Sequence, residues 1–133
     1  GVRMWVAGGS NGLHLLGDFW WSDDGGASWM EATAAAAWGG RAGHSLVACG
    51  AALMLVGGRA WDSFGLADEN LDQAYGGLPD EVWASGDGSE WVVRGGGFGG
   101  RDLVRGACNE GRRVWIVGGV SADGARSDVW ASS

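Results

Sequence analysis

Lysine is absent from this chain of 133 residues, whose nine basic residues are all arginines. Sixteen acidic residues outnumber them and give a formal net charge of −7. A protein that binds nucleic acid or an anionic membrane by electrostatic attraction needs a basic surface instead. The charge balance therefore predicts neither a nucleic-acid partner nor a membrane partner.

Proline, cysteine and long apolar runs are also scarce. The chain has one proline and two cysteines, and no apolar run approaches the roughly 20 residues of a membrane helix. Two cysteines are too few for a disulfide-stapled scaffold, and they show no metal-ligand spacing with each other or with the two histidines. We predict no metal site and no cofactor, while the cellular compartment stays open.

Disorder is excluded because 46% of the residues are hydrophobic and only 19% are charged. Glycine, with 28 residues, is the over-represented residue, and pairs of glycines mark an internal repeat. Apolar segments end in such a pair at 5–9, 55–58 and 115–119. An acidic-apolar-Trp-x-Ser block follows each pair, at 18–22, 81–85 and 128–132.

The interval between equivalent positions sets the repeat length. Gly57 lies 49 residues after Gly8, and Asp128 lies 47 residues after Glu81. The middle copy carries a 14-residue insertion between its glycine pair and its tryptophan block. A period of this length is typical of a repeat architecture in which each copy is one supersecondary unit.

Short apolar segments separated by glycine turns predict antiparallel strands. In the middle copy we predict strands at 44–49, 52–57, 81–85 and 90–94, which makes four strands per unit. The alanine-rich stretch 32–38 is short and uncapped, and we predict a loop there rather than a helix.

These motifs resemble the repeats of kelch-like, galactose-oxidase-type β-propellers. The similarity lies in the Arg-x-Gly-His-Ser opening at 41–45, the strand ending in Gly57-Gly58, the Trp-x-Ser blocks and the Asp-Gly turn that follows. It implies an all-β fold: a partial kelch-type propeller with two to three four-stranded antiparallel blades, within one domain spanning 1–133. The predicted blade segments are about 1–40, 41–100 and 101–133. Since closed propellers have about 4–8 blades, further blades from the same chain or from an associated copy are expected to close the ring.

Residues 22–29, Ser-Asp-Asp-Gly-Gly-Ala-Ser-Trp, also resemble the Asp-box, a hairpin turn found in sialidases and other propellers. In such a turn the aspartate accepts hydrogen bonds from backbone N–H groups and the tryptophan anchors the hairpin. We therefore predict structural roles for Asp24 and for Asp87 in the next copy.

Three further residues are weighed as site candidates. His44 opens the first strand of a unit, and local hydrogen bonding is favoured there over a role as base or ligand. Cys49 and Cys108 end equivalent strands of adjacent copies. We predict that this separation exceeds the Cα distance of about 7 Å that a disulfide allows, which leaves two small buried thiols.

The inserted loop, residues 59–80, is the candidate ligand-contact segment. Its aromatic and acidic side chains suit contact with carbohydrate or protein, and we select Trp61, Asp62, Phe64, Asp68, Asp72 and Tyr75. The alternative for this loop is a solvated surface insertion. We assign no catalytic residue.

We predict a non-catalytic module that binds a protein or a glycan through its loop face. The alternative is part of a propeller enzyme, either a galactose-oxidase-like oxidase or a glycan hydrolase, whose catalytic residues lie outside this chain.

Overall fold

The structure is a computed structural model that describes residues 2–60, 78–110 and 112–133. All secondary structure in these residues is β-strand, and the strands pair antiparallel. The strands are β1 (Met4–Ser10), β2 (Leu15–Ser22), β3 (Met30–Thr33), β4 (Ser45–Cys49), β5 (Ala52–Val56), β6 (Val82–Ser85), β7 (Val92–Gly95), β8 (Arg105–Cys108), β9 (Val114–Val117), β10 (Val120–Ser121), β11 (Gly124–Ala125) and β12 (Val129–Ala131). These ranges contain no helix, so none that is long and apolar enough to cross a membrane.

The strands form three successive sheets and one short hairpin. The first sheet has the order β1-β2-β3, the second β4-β5-β6-β7 and the third β8-β9-β12, while β10 and β11 pair with each other. Register makes the second and third sheets equivalent: Leu55 lies opposite Trp83 in one, and Ile116 lies opposite Trp130 in the other. The repeat in the sequence is thus a repeat in strand pairing.

The four strands predicted in the middle copy are confirmed to within two residues, and the alanine-rich stretch forms no helix. The prediction of four strands per unit is correct only for the second sheet, since the first and third sheets have three strands each in the described residues. Among residues 2–60, 78–110 and 112–133, the first sheet begins at the strand that ends in a glycine pair, and the third sheet ends at its tryptophan strand.

The glycine pairs lie where neighbouring backbones come too close for a side chain. Gly57 and Gly58 have φ angles of 60° and 92°, and Gly118 and Gly119 have nearly the same angles, 60° and 94°. A Cβ on Gly57 would lie 2.9 Å from the carbonyl oxygen of Arg101, which real Cβ atoms do not tolerate. Each pair therefore serves both as a turn in the left-handed region and as a point of close packing.

Apolar side chains fill the space between consecutive sheets. Between the first and second sheets lie the buried residues Phe19, Trp38, Leu53, Leu55 and Trp91. Between the second and third lie Val56, Phe98, Val104, Val114 and Ile116. Trp91 meets Phe19 at 5.2 Å and Trp38 at 6.0 Å between ring centroids, both edge-on, which is a favoured arrangement of aromatic rings. Trp83, in contrast, is only partly buried.

The prediction of two free thiols was wrong, because Cys49 and Cys108 form a disulfide with a Cα–Cα distance of 5.4 Å. Equivalent positions of adjacent units would be too far apart for this bond only if neighbouring sheets stayed separated along their first strands. The first strands β4 and β8, however, pack against each other, and the N–H of Gly106 donates a 2.9 Å hydrogen bond to Ser45 Oγ. Sheets that converge at their first strands bring equivalent strand ends within disulfide distance.

Candidate functional site

An ion pair joins the second and third sheets beside the end of β5. Arg59 follows the Gly57-Gly58 pair, and its Nη1 lies 3.0 Å from Oδ2 of Asp102. The backbone at Arg59 bridges to Ala42, and the backbone at Asp102 bridges to Val120. Both side chains are mostly buried, with 20% and 14% exposed, so this pair is better shielded from water than an ordinary surface pair.

Asp102 is held by its surroundings on more than one side. Its Oδ1 accepts a 2.8 Å hydrogen bond from the backbone N–H of Leu103, an arrangement in which an aspartate closes a turn on its own backbone. Gly43, at φ 68°, packs so closely against this carboxylate that a Cβ there would collide with it. The carboxylate is therefore fixed in place, and Arg59 is held with it.

His44 lies near this pair and is mostly buried. Burial, and next the positive charge of Arg41, lower the pKa of His44 to about 4, although backbone carbonyls of Ala7 and Arg41 act in the opposite direction. Its ring is 6.2 Å from that of Trp38. The residue at the equivalent position of the next copy is Val104, which is fully buried. His44 is thus a neutral, packed side chain near neutral pH.

Two buried arginines repeat the same contacts in successive units. Arg41 donates to the carbonyls of Trp38 and Gly57 and to Glu81. Arg101, at the equivalent position, donates to the carbonyls of Phe98 and Gly118 and to Asp128. The arginines are 3% and 2% exposed. The guanidinium of each arginine donates to backbone carbonyls and to one acidic side chain of the chain itself. We therefore assign both arginines to structure rather than to ligand binding.

The acidic partner of each arginine also accepts from a tryptophan. Trp83 Nε1 donates to Glu81 at 2.6 Å, and Trp130 Nε1 donates to Asp128 at 2.8 Å. The hydrogen bond from Arg101, followed by that from Trp130, holds the pKa of Asp128 below its ordinary value. In the first sheet, Trp20 donates to Asp18 in the same way at 2.7 Å, but no arginine among the described residues reaches that carboxylate.

In each of the two aspartate turns, the carboxylate accepts hydrogen bonds from groups of the turn itself. Asp24 accepts from the N–H and the hydroxyl of Ser28, and these bonds hold the pKa of Asp24 below its ordinary value. Asp87 accepts from the N–H groups of Ser89 and Glu90, which lower its pKa to about 2. Such carboxylates close hairpins and stay ionised.

An apolar cleft of about 320 Å³ opens between the second and third sheets. The residues that line it are Met54, Val82, Arg94, Gly95, Gly96, Phe98, Val114, Ile116, Trp130, Ala131, Ser132 and Ser133. It is continuous with the core between these sheets, because Phe98, Val114 and Ile116 belong to both. The sequence reasoning did not find this cleft.

The predicted ligand-contact residues Trp61, Asp62, Phe64, Asp68, Asp72 and Tyr75 lie outside the described residues. The Arg59–Asp102 pair, which flanks that segment, was also missed by sequence reasoning. Arg59 directly follows a glycine pair and Asp102 directly follows the opening arginine of a copy, yet their separation of 43 positions along the chain hid their proximity. Within 2–60, 78–110 and 112–133, no group of three His, Cys, Asp or Glu side chains could hold a metal ion.

Comparison with known proteins finds similarity of structure only. No protein-family model matches the chain, and no curated protein matches its sequence. The solved structure of YjhT aligns with the whole of this chain at a TM-score of 0.67 and 20% sequence identity. The chain spans 43% of the length of YjhT, so the two share a fold over this part.

Proposed function

We propose that this chain forms part of a kelch-type β-propeller and that its sheets are blades arranged around an axis. Three observations support this proposal: the strand order β4-β5-β6-β7 of the second sheet, the identical register of the third, and the convergence of the first strands β4 and β8. The Asp-box-like turns at 22–29 and 85–91 fit the same architecture. Further blades, from the same chain or from an associated copy, would complete the ring.

We further propose that this module binds a carbohydrate or a protein through its loop face. The observation that carries the proposal is the Arg59–Asp102 pair, a shielded ion pair that joins two sheets where the chain leaves β5 for the inserted segment. A rigid platform of this kind positions a binding loop. The segment beside it supplies the aromatic rings of Trp61, Phe64 and Tyr75 and the carboxylates of Asp62, Asp68 and Asp72, and such side chains form binding sites for both ligand classes.

A glycan array probed with the whole chain tests this function. We expect a defined set of glycans to bind, and we expect at least a tenfold weaker affinity after Trp61→Ala combined with Tyr75→Ala. The matched control is Trp29→Ala, which removes a 37% exposed tryptophan from the first sheet and leaves the loop face unchanged. Equal binding by all three proteins would contradict the proposal, and binding to no glycan would leave a protein as the partner.

The enzyme alternative is distinguished in the same experiment. A propeller hydrolase or sugar oxidase would change the glycans that it binds, and mass spectrometry of the array would show cleaved or oxidised products. Recovery of unchanged glycans together with loop-dependent binding supports the binding module.

A further inference from the structure

We infer that the joint between the first and second sheets, where these sheets pack against each other, holds one internal water molecule between Trp38 and His44. The water accepts a hydrogen bond from Nε1 of Trp38 and donates one to Nδ1 of His44. The inference rests on contacts within the described residues, and it does not depend on ligand binding at the loop face.

Trp38 and His44 each place a polar ring nitrogen in an enclosed position. Nε1 of Trp38 and Nδ1 of His44 are both buried, and neither has a hydrogen-bond partner among the described residues. Trp38 as a whole is only 3% exposed, so its N–H has no route to bulk solvent. A buried polar group without its hydrogen bond destabilises a fold. Two such groups in one joint therefore point to a partner that serves both.

The equivalent joint between the second and third sheets has apolar side chains at both positions. Phe98 and Val104 each lie 60 positions after Trp38 and His44 respectively, and both are buried in the apolar core of that joint. The two ring nitrogens are thus present together in one joint and absent together in the other. Side chains whose polar groups occur only as a pair are expected to share one partner, because either nitrogen alone would remain unsatisfied.

The backbones of the two joints make the same hydrogen bonds, so their side chains are directly comparable. The guanidinium of Arg41 donates to the carbonyl of Trp38, and the guanidinium of Arg101 donates to the carbonyl of Phe98. Trp38 and Phe98 are therefore held in the same place relative to their opening arginines. The chemical difference between the joints lies in the ring nitrogens rather than in the path of the chain.

The chemistry of the two rings suits a single water. An indole N–H only donates, whereas a neutral imidazole has one donor nitrogen and one acceptor nitrogen. The pKa of about 4 keeps His44 neutral near neutral pH, and the proposed bridge places its proton on Nε2. The ring centroids are 6.2 Å apart. A water that bridges two nitrogens spans two hydrogen bonds of roughly 2.9 Å each, and buried waters serve polar groups that the protein itself leaves unpaired.

Nuclear magnetic resonance of the native chain tests for the water directly. We expect the Nε1–H of Trp38 to show NOE and ROE cross-peaks to water of opposite sign, which indicate a held water rather than proton exchange with solvent. We also expect the nitrogen chemical shifts of His44 to identify the Nε2–H tautomer. The matched control is Trp91 in the same cluster, whose Nε1 donates a 2.8 Å hydrogen bond to the carbonyl of Gly88. We expect no such cross-peaks from Trp91.

A double-mutant cycle tests whether the two side chains share this partner. Trp38→Phe and His44→Val copy the side chains of the equivalent joint, and each single change leaves the other nitrogen without its bridge. We expect the double variant to lose less in the urea midpoint of unfolding than the two single variants lose in sum. The control cycle combines Trp38→Phe with Trp29→Phe, which changes a 37% exposed tryptophan of the first sheet, and its losses should add.

Three results would overturn the inference. The first is a Trp38 indole N–H without cross-peaks to a held water. The second is additive losses in the cycle of Trp38 and His44. The third is a scalar coupling between Nε1 of Trp38 and Nδ1 of His44, which would show that the two nitrogens bond directly. A chain that binds no glycan would alter none of these measurements, so the two proposals fail independently.

Discussion

The guanidinium of Arg101 donates to both carboxylate oxygens of Asp128, at 2.7 and 3.1 Å. The same arginine donates to the carbonyls of Phe98, Gly99 and Gly118. A single buried side chain thus ties the segment before the third sheet to the glycine pair and to the tryptophan strand. Arg41 makes the corresponding connections in the second sheet, because it donates to the carbonyl of Gly57 and to Glu81.

Arg101→Met is expected to lower the free energy of unfolding by about 2–4 kcal/mol, because several backbone carbonyls lose their donor in a region with little access to water. Urea denaturation measures this loss. Arg3→Met is the matched control, since Arg3 also forms a bidentate pair, with Asp23, but both side chains are about half exposed and exposed pairs contribute little. Equal losses in the two variants would contradict the structural role of Arg101.

His44 should make stability fall on acidification. Its folded-state pKa of about 4 is below the ordinary histidine value, so the unfolded chain binds the proton more tightly between about pH 6.5 and pH 4. We expect a loss of about 1–2 kcal/mol between pH 7 and pH 5 in the native chain. His44→Val, which copies Val104, should remove this part of the pH dependence. An unchanged pH profile would contradict the burial of His44.

The disulfide should be a major source of stability. It joins residues 59 positions apart, and closing a loop of this length in the unfolded chain stabilises the fold by about 4 kcal/mol in the chain-entropy model. The double variant Cys49→Ser, Cys108→Ser is expected to unfold at lower urea concentration and to be insensitive to dithiothreitol, whereas the native chain responds to it. Titration of two free thiols in the folded native chain would show that the bond is absent.

Two tryptophans at equivalent positions should differ in their effect on stability. Trp91 is 6% exposed between two sheets, whereas Trp29 is 37% exposed on the first sheet. Trp91→Ala is expected to cost about 3–5 kcal/mol of unfolding free energy, and Trp29→Ala clearly less. Chemical denaturation of both variants measures the difference, and similar losses would contradict the packing described for Trp91.

Periodicity predicted the strands well because the glycine pairs and the tryptophan blocks are themselves the physical reasons for strand ends and for packing between sheets. Gly57 and Gly118 adopt the same φ of 60° since the same close approach recurs. Contacts between units were not predictable in the same way. The Cys49–Cys108 bond and the Arg59–Asp102 pair depend on how far neighbouring first strands converge, and the spacing of residues along a chain carries no measure of that convergence.

The apolar cleft escaped prediction for a related reason. Its walls are formed by residues such as Val114 and Ile116, which in sequence are indistinguishable from any other strand residues that face a core. Only their packing in three dimensions shows that these residues line an open cleft between the second and third sheets.

The backbone N–H of Gly9 donates to the carbonyl of Arg41 at 2.8 Å, and that of Gly58 donates to the carbonyl of Arg101 at 2.9 Å. Both joints between neighbouring units in the described residues therefore use the same two backbone atoms in the same roles. A duplicated or deleted unit would find this backbone contact on both flanks, whereas the side-chain contacts that differ between the two joints, such as the Cys49–Cys108 bond, would have to adapt. Gene duplication and unequal recombination could thus lengthen or shorten such an array in single steps, while selection acts separately on the loops.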